Sequence, residues 1–197
     1  MNECCLCAGQ TKYVWSQLIL EKYDVGYFEC LECGSLQSET PYWLDEAYSQ
    51  AGTGYDTGAC QRSIICALAM STAFEMLGIR PETKCLDCGA GMGLYARMMR
   101  DRGWSYFAYE KYVFPFYMDK FCAGPTDTKW GVVSAFEVFE HLPNPGDSID
   151  LILGSAKDYV FFTTECWENQ GNAWHYLDPM HGQHVFSMRV KRLNLSH

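Results

Sequence analysis

The chain has 197 residues, of which 48% are apolar, so it can bury the core of one main domain and carry a small additional module. Its formal net charge is -9, and no run of basic residues offsets that acidic balance, which argues against nucleic acid and anionic membranes as partners. No secretory leader and no stretch near the ~20 apolar residues of a membrane span stand out, so we expect a cytoplasmic protein.

Two cysteine pairs stand near the start of the chain, and each has two residues between its members. This spacing lets both thiolates of a pair face one ion, and two such pairs supply the four tetrahedral ligands of structural zinc. The pattern predicts a zinc-ribbon-like module over residues 1–40, with free thiols or a redox pair as the alternative. Because Cys5 directly follows Cys4, the sequence leaves open which of the two is the first ligand. The predicted zinc ligands are Cys4, Cys7, Cys30 and Cys33.

Residues 41–83 are predicted to form a linker and one long lead-in helix. The glycine-rich stretch at 52–58 is typical of a linker or of a lid over a site. From Ala59 to Leu77 the apolar residues recur with helical period, and Gly78 stands where a helix commonly ends in a left-handed residue. The predicted apolar rows are Ile64, Leu68, Thr72 and Met76, and beside them Ile65, Ala69, Ala73 and Leu77.

From residue 84 to residue 197, short apolar strands alternate with helices. This alternation predicts an α/β fold with a doubly wound, Rossmann-like parallel sheet. Ligands on such sheets bind at the carboxyl ends of the strands. The predicted strands are Lys84–Asp87, Tyr106–Tyr109, Val132–Phe136 and Tyr159–Thr164, and the predicted helices include Leu94–Arg102 and Ser148–Leu153.

The first of these strands ends in Asp87, which is followed by three glycines on alternate positions. A dinucleotide fingerprint would have Gly or Ala where Leu94 stands, and Asp87 would repel a pyrophosphate at the start of the helix. A cationic ligand is instead favoured by the acid, while glycines let the backbone approach it without Cβ clashes. S-adenosylmethionine carries a sulfonium and an ammonium, so it fits this turn. The glycines are Gly89, Gly91 and Gly93.

A second acid, Glu110, ends the next predicted strand, 17 residues after Gly93. A carboxylate at this position accepts hydrogen bonds from both ribose hydroxyls of a nucleotide-like ligand. The alternative is a solvated acid at a strand end. The glycine turn at the right distance favours the ribose role.

Three stretches carry a family resemblance: Leu86–Gly93, Tyr109–Glu110 and Phe136–Pro145. Together they make residues 84–164 resemble the class I S-adenosylmethionine-dependent methyltransferases. The stretch Trp174–His184 is similar to a loop that follows a strand in that family. A tetracysteine module joined to such a domain is similar to sugar methyltransferases that act on nucleotide-linked or polysaccharide sugars.

The resemblance implies a cofactor site for S-adenosylmethionine. In that site the acid and the glycines line the methionine tail and the ribose, Glu110 holds the ribose, and two residues after the third strand border the tail. The cofactor-binding residues that it implies are Asp87, Gly89, Gly91, Gly93, Glu110, Phe136 and Glu137.

Methyl transfer requires alignment of the acceptor, and a hydroxyl or carbon acid also requires a base. Histidine titrates near neutrality, and four histidines are candidate bases, although each could instead fix a loop through a backbone carbonyl. The stretch His181–His184 is the most suggestive, whereas a metal there is disfavoured because no acidic partner has ligand spacing. Glu140 is expected to close a helix start by hydrogen bonding. The candidate bases are His141, His175, His181 and His184, and the predicted catalytic residues are His181, His184, Tyr176 and His141.

The sheet of the resembled family has more strands than we find before His197. Either the chain is truncated or a partner covers the exposed edge strand, so we expect a homodimer or a partly exposed sheet edge. The predicted function is methyl transfer to a small molecule, with a sugar or nucleotide sugar as the acceptor. A lipid intermediate or another metabolite is the alternative acceptor, and a truncated, non-catalytic cofactor-binding module acting through its zinc ribbon is the alternative function. The acidic balance argues against an RNA acceptor.

Overall fold

The computed structural model describes residues 3–49 and 58–190, which are grouped into two compact units. The first unit takes residues 3–49, 139–149 and 164–190, and the second takes 58–138 and 150–163. The predicted glycine-rich linker or lid lies, apart from Gly58, outside the described residues. The predicted division at residues 40 and 83 stays a prediction.

The sheet of the first unit combines both ends of the described chain. Strands β1 (Thr11–Ile19) and β2 (Tyr23–Cys30) form an antiparallel hairpin, and β2 pairs with β3 (Leu36–Ser38). The short helix α1 (Leu44–Tyr48) follows. A late two-residue strand (Phe186–Ser187) pairs antiparallel with β3, so a segment from beyond the second unit completes the sheet that the cysteine-bearing segment begins.

Aromatic side chains form the core of the first unit. Trp43, Trp167 and Trp174 are buried together with Tyr27 and other apolar residues. The indole Nε1 of Trp43 donates a hydrogen bond to the carbonyl of Gly182 at 2.7 Å. The loop that carries His181 and His184 is therefore held against this core.

The second unit contains a parallel sheet, and the predicted α/β architecture is confirmed. Its four strands have the order β5-β4-β6-β7, and the neighbouring strands are parallel. The strands are β4 (Cys85–Cys88), β5 (Tyr106–Tyr109), β6 (Trp130–Phe136) and β7 (Ala156–Thr163), and the late strand Phe186–Ser187 of the first unit is numbered β8. The helices are α2 (Ala59–Leu77), α3 (Leu94–Asp101) and α4 (Pro145–Ser155). One boundary between the two units falls within α4.

Helix α2 has the predicted bounds but presents a different face to the core. Gly78 ends it with φ of 66°, as expected for a left-handed C-terminal glycine. The buried row is Ala67, Met70 and Phe74, and Phe74 packs on Trp104 with ring centroids 4.9 Å apart. The apolar rows seen in the sequence are mostly exposed, because the helix is apolar on several sides and its period alone does not select the buried side. The exposed members of those rows are Ile64, Ile65, Leu68, Ala69, Thr72, Met76 and Leu77.

Strand β7 has one strand neighbour, β6, within the described part of the sheet. Tyr159 and Phe162 of β7 are exposed. Among the helices of residues 3–49 and 58–190, none is long and apolar enough to cross a bilayer.

Candidate functional site

The turn between β4 and α3 is built from glycines in the left-handed conformation. Gly89, Gly91 and Gly93 have φ of 69°, 54° and 82°. A Cβ added at Gly89 would lie 2.6 Å from a methyl of Val138, and one added at Gly93 would lie 2.7 Å from Cγ of Met118. A Cβ at Gly91 would meet nothing within 4 Å, so the space over Gly91 is open to a ligand. The left-handed conformation favours glycine at all three positions, and packing also requires it at Gly89 and Gly93.

Glu110 bridges this glycine turn and the end of β5. Its Oε2 accepts a hydrogen bond from the backbone N–H of Gly91 at 2.8 Å. Its Oε1 accepts from the N–H groups of Lys111 and Tyr112 at 2.7 and 2.9 Å. Because three backbone donors hold it, the carboxylate has a fixed orientation beside the turn.

Asp87 is a buried acid at the end of β4. Burial raises the pKa of its carboxyl to about 7, the hydrogen bond from Ser134 opposes this, and the negative charge of Glu110 adds to the rise. The Ser134 hydroxyl donates to Oδ1 of Asp87 at 2.8 Å. A cationic group beside Asp87 and Glu110 would stabilise both carboxylates, so this turn fits a positively charged ligand.

The end of β6 brings a third acid to the same edge of the sheet. Glu137 has φ of 53°, a conformation that is uncommon for a residue with a side chain, and its N–H donates to the carbonyl of Thr163 at 3.1 Å. The thiol of Cys66 on α2 has a raised pKa because of burial first and then because of the charges of Asp87 and Glu137. Phe136 packs on Tyr95 with ring centroids 5.0 Å apart. The carboxyl ends of β4 and β5 therefore place Asp87 and Glu110 beside the glycine turn, and the end of the neighbouring strand β6 places Glu137 at the same edge of the sheet.

The four predicted cysteine ligands form one cluster in the first unit. The sulfurs of Cys4 and Cys33 are 3.6 Å apart, as are those of Cys7 and Cys30, and all four lie within 4.8 Å of one another. Four sulfurs at about 2.3 Å from one zinc ion lie about 3.8 Å from each other, so the cluster has the dimensions of a tetrahedral zinc site. The cluster includes Cys4 and leaves out Cys5, whose backbone N–H donates to Gln37.

A second polar cluster in the first unit is centred on Glu140. Its side chain is fully buried within the short 3-10 turn Phe139–His141. The hydroxyl of Tyr176 donates to Oε1 at 2.6 Å, and that of Thr164 donates to Oε2 at 3.1 Å. These two hydroxyls orient the Glu140 carboxylate, and the expectation that Glu140-His141 closes a helix start stays a prediction.

Two of the predicted catalytic histidines join this cluster. The rings of His141 and His184 meet edge to face with centroids 4.8 Å apart. Nδ1 of His184 lies 2.5 Å from the carbonyl oxygen of Tyr176, and because a carbonyl only accepts, Nδ1 carries the proton and the neutral ring has its lone pair on Nε2. His141 lies 3.2 Å from the Tyr48 hydroxyl, and burial, with the nearby His184, lowers its pKa to about 3.

The other two histidines lie on the surface and pair with acids. Nδ1 of His181 is 2.8 Å from Oδ1 of Asp178, and Nε2 of His175 is 3.2 Å from Oε1 of Glu165. The structure thus brings together His141, His184 and Tyr176 and leaves His181 outside the cluster. The residue that sequence reasoning missed is Glu140, although its place directly before a histidine was a usable signal.

A family model described as a methyltransferase domain matches residues 61–195 of the chain. The comparison with curated proteins found no match for the chain. The range matched by the family model contains the glycine turn, the acids Asp87, Glu110 and Glu137, and the Glu140 cluster. The cysteine cluster lies outside the matched range, so this comparison does not account for it.

Proposed function

The chain belongs to the methyltransferase domain family, and from this premise we propose that it transfers a methyl group from S-adenosylmethionine to a small molecule. The observation that carries the proposal is the glycine turn bridged by Glu110 beside the buried Asp87. Diphosphate-bearing cofactors are disfavoured here because the acids Asp87 and Glu110 lie beside the turn.

The residues of the turn would hold the cofactor in distinct ways. Glu110 would accept the ribose hydroxyls, and Asp87 would offset the positive charges of the ligand. Gly91 would let the ligand approach the backbone. Phe136 and Glu137 would border the methionine tail. When bound, S-adenosylmethionine supplies an electrophilic methyl group on a positively charged sulfur.

We propose a sugar or nucleotide sugar as the acceptor. This acceptor class is supported by the tetracysteine cluster, since its combination with a methyltransferase domain is similar to sugar methyltransferases. The cluster of Glu140, Tyr176, His141 and His184 offers hydrogen-bonding groups of the kind that orient hydroxyl-bearing molecules. Among the predicted catalytic residues, these cluster members are the stronger candidates, and His181 remains an exposed candidate.

We propose that zinc occupies the cysteine cluster in a structural role. Four thiolates complete a tetrahedral zinc ion, so no coordination position remains for a substrate. The N–H groups of Glu32 and Cys33 each lie 3.4 Å from Sγ of Cys30 and orient that sulfur towards the cluster. The metal would join the two turns that flank the β1–β2 hairpin.

Calorimetric titration with S-adenosylmethionine tests the proposed cofactor site. The Glu110→Gln variant should bind at least tenfold more weakly, because hydrogen bonds to a charged group contribute about 1.5–3 kcal/mol. Glu82→Gln is the matched control, since Glu82 is an exposed acid of the same unit that pairs with Arg80. Equal affinity of the wild-type protein and the Glu110→Gln variant would contradict the proposed ribose contact, and no binding by wild-type protein would contradict the function.

Methyl transfer itself is measured with S-adenosylmethionine labelled on its methyl group. Label should pass to a nucleotide sugar and should be reduced in the Glu110→Gln variant in proportion to cofactor affinity. Label that passes only to other metabolites would refute the acceptor class and leave the cofactor site in place.

A further inference from the structure

We propose that Glu140, His141 and His184 bind a divalent transition-metal cation, at a site separate from the four cysteines. Each residue offers one ligand atom, and these three atoms lie within 4.8 Å of one another. Two ligand atoms that each lie about 2.1 Å from one ion are about 3.4 Å apart in a tetrahedral site. On opposite sides of the ion they are about 4.2 Å apart, which is the largest possible separation. Small side-chain rotations therefore bring the three atoms onto one ion.

The contacts around the cluster are those that orient metal ligands. A histidine ligand commonly donates its other ring N–H to a backbone carbonyl, and a carboxylate ligand is commonly held by hydrogen bonds. His184 makes the first contact through Nδ1 to the carbonyl of Tyr176 at 2.5 Å. Glu140 makes the second with the hydroxyls of Tyr176 and Thr164. Tyr176 thus orients two of the three ligands, one through its backbone and one through its side chain.

The burial of the cluster favours a cation. The Glu140 side chain has 0% exposed area, and the hydroxyls of Tyr176 and Thr164 orient its two oxygens. Buried carboxylates are stable when they are paired or when they coordinate a metal. A divalent cation shared with two imidazoles would supply the positive charge at the point where the three ligand atoms converge.

The ligand set selects the class of metal. Imidazole suits Fe²⁺, Ni²⁺, Cu²⁺ and Zn²⁺, and Co²⁺ lies between Fe²⁺ and Ni²⁺ in the order of affinity, whereas Mg²⁺ and Ca²⁺ prefer oxygen ligands. Three protein ligands leave coordination positions open, in contrast to the closed set of four cysteines. An oxygen-bearing molecule would complete the coordination. That this molecule is the acceptor rests on the proposed function, but the metal site itself does not.

The fold supplies the acidic partner that the sequence did not reveal. The sequence disfavours a metal at His181 and His184 because no acid has ligand spacing. His181 does lie outside the cluster. The acidic ligand beside His184 is Glu140, which stands 44 residues earlier in the sequence. The hydrogen bond from the N–H of Val185 to the carbonyl of Glu140 at 2.8 Å fixes the two segments side by side.

Cobalt titration of protein that metal analysis shows to hold one zinc per chain, at the four cysteines, separates this site from the cysteine cluster, because the second site then holds no zinc. Wild-type protein should take up one Co²⁺ per chain in addition to its zinc. The absorption of the bound Co²⁺ should lack the intense thiolate charge-transfer bands that a cysteine site gives. Failure of zinc-loaded protein to take up Co²⁺, or uptake with thiolate bands alone, would overturn the proposal.

Ligand variants locate the bound Co²⁺. Glu140→Gln and His184→Ala should each weaken Co²⁺ binding at least tenfold, and Tyr176→Phe, which removes one orienting hydroxyl, should weaken it about 10- to 100-fold. The control is His175→Ala, which removes an exposed histidine paired with Glu165 and should bind Co²⁺ as the wild type does.

Retention of one tightly held zinc per chain shows that the first unit of each variant is folded, since the cysteine cluster lies in that unit. If the Glu140→Gln variant does not retain its zinc, the Co²⁺ affinity of the Tyr176→Phe variant tests the proposal in its place. Folded variants that bind Co²⁺ with wild-type affinity would overturn the proposal. Because Co²⁺ uptake is measured without S-adenosylmethionine, its outcome is independent of the proposed methyl transfer.

Discussion

Replacing Asp87 by asparagine tests the electrostatics of the glycine turn. The asparagine keeps the shape of the side chain and an oxygen that accepts from Ser134, but it does not titrate. In the folded chain burial raises the pKa of Asp87 from its usual 3.8 to about 7. The difference corresponds to about 4 kcal/mol, since one pKa unit is about 1.4 kcal/mol.

The sign of the effect follows from proton binding. Between the two pKa values the folded chain holds a proton on Asp87 that the unfolded chain releases, so stability from Asp87 is complete below about pH 3.8 and is lost as pH rises through about 7. Relative to Asp87→Asn, the free energy of unfolding of the wild type should fall by about 2 kcal/mol between about pH 5 and pH 7. Above about pH 8 the difference should be constant.

Urea unfolding followed by tryptophan fluorescence measures this difference at each pH. Asp101→Asn is the matched control, because Asp101 is an exposed acid that pairs with Arg97 in the same unit. This variant controls for the loss of an acidic side chain that is exposed instead of buried. A wild-type minus Asp87→Asn difference that is flat from about pH 5 to pH 8 would refute the burial of an ionisable carboxyl at this turn.

Three further predictions concern the ligand space, the cysteine cluster and the sheet edge. Gly91→Val should abolish calorimetric binding of S-adenosylmethionine by filling the open space over the turn, whereas binding at wild-type affinity would place the ligand elsewhere. Cys30→Ser should lower the metal content by one zinc per chain and reduce the melting temperature, because structural zinc contributes directly to folding; unchanged zinc content would exclude Cys30 as a ligand. We propose that β7 is covered by a second copy of the chain, so light scattering should give a dimer, and Phe162→Lys on exposed β7 should shift it to monomer. A monomeric wild-type protein would contradict the dimer.

Local signals predict the elements of the second unit well. The helical period of α2 and its closing glycine give both of its ends, and the run of glycines after β4 indicates a turn that only glycine can form. Such features are determined by residues that are close in sequence, so they can be predicted from the sequence alone. The buried face of α2 depends instead on what packs against it. Met70 and Phe74 are buried while Leu68 and Met76 are exposed, a choice that hydrophobicity alone does not make.

The pairing of β8 with β3 shows the same limit in the first unit. β8 has two residues, which is too short for any alternation of apolar and polar side chains to be visible. Its partner lies near the opposite end of the described chain, where Gln37 faces Phe186. Only the folded chain identifies this contact, because it depends on the aromatic core that holds the intervening loop.

The two clusters of metal ligands differ in how far sequence alone reveals them. The cysteines come in pairs with a fixed two-residue gap, because one short turn must present both sulfurs to the same ion, and that local constraint is visible in the sequence. Glu140 and His184 come from separate segments joined by a backbone hydrogen bond, so no spacing rule connects them. The structure marks the site in another way: Glu140 is a fully buried acid directly followed by His141. Buried acids beside histidines are therefore worth testing for metal even when no ligand spacing is present, and cobalt uptake by the Tyr176→Phe variant tests that reasoning without removing a ligand.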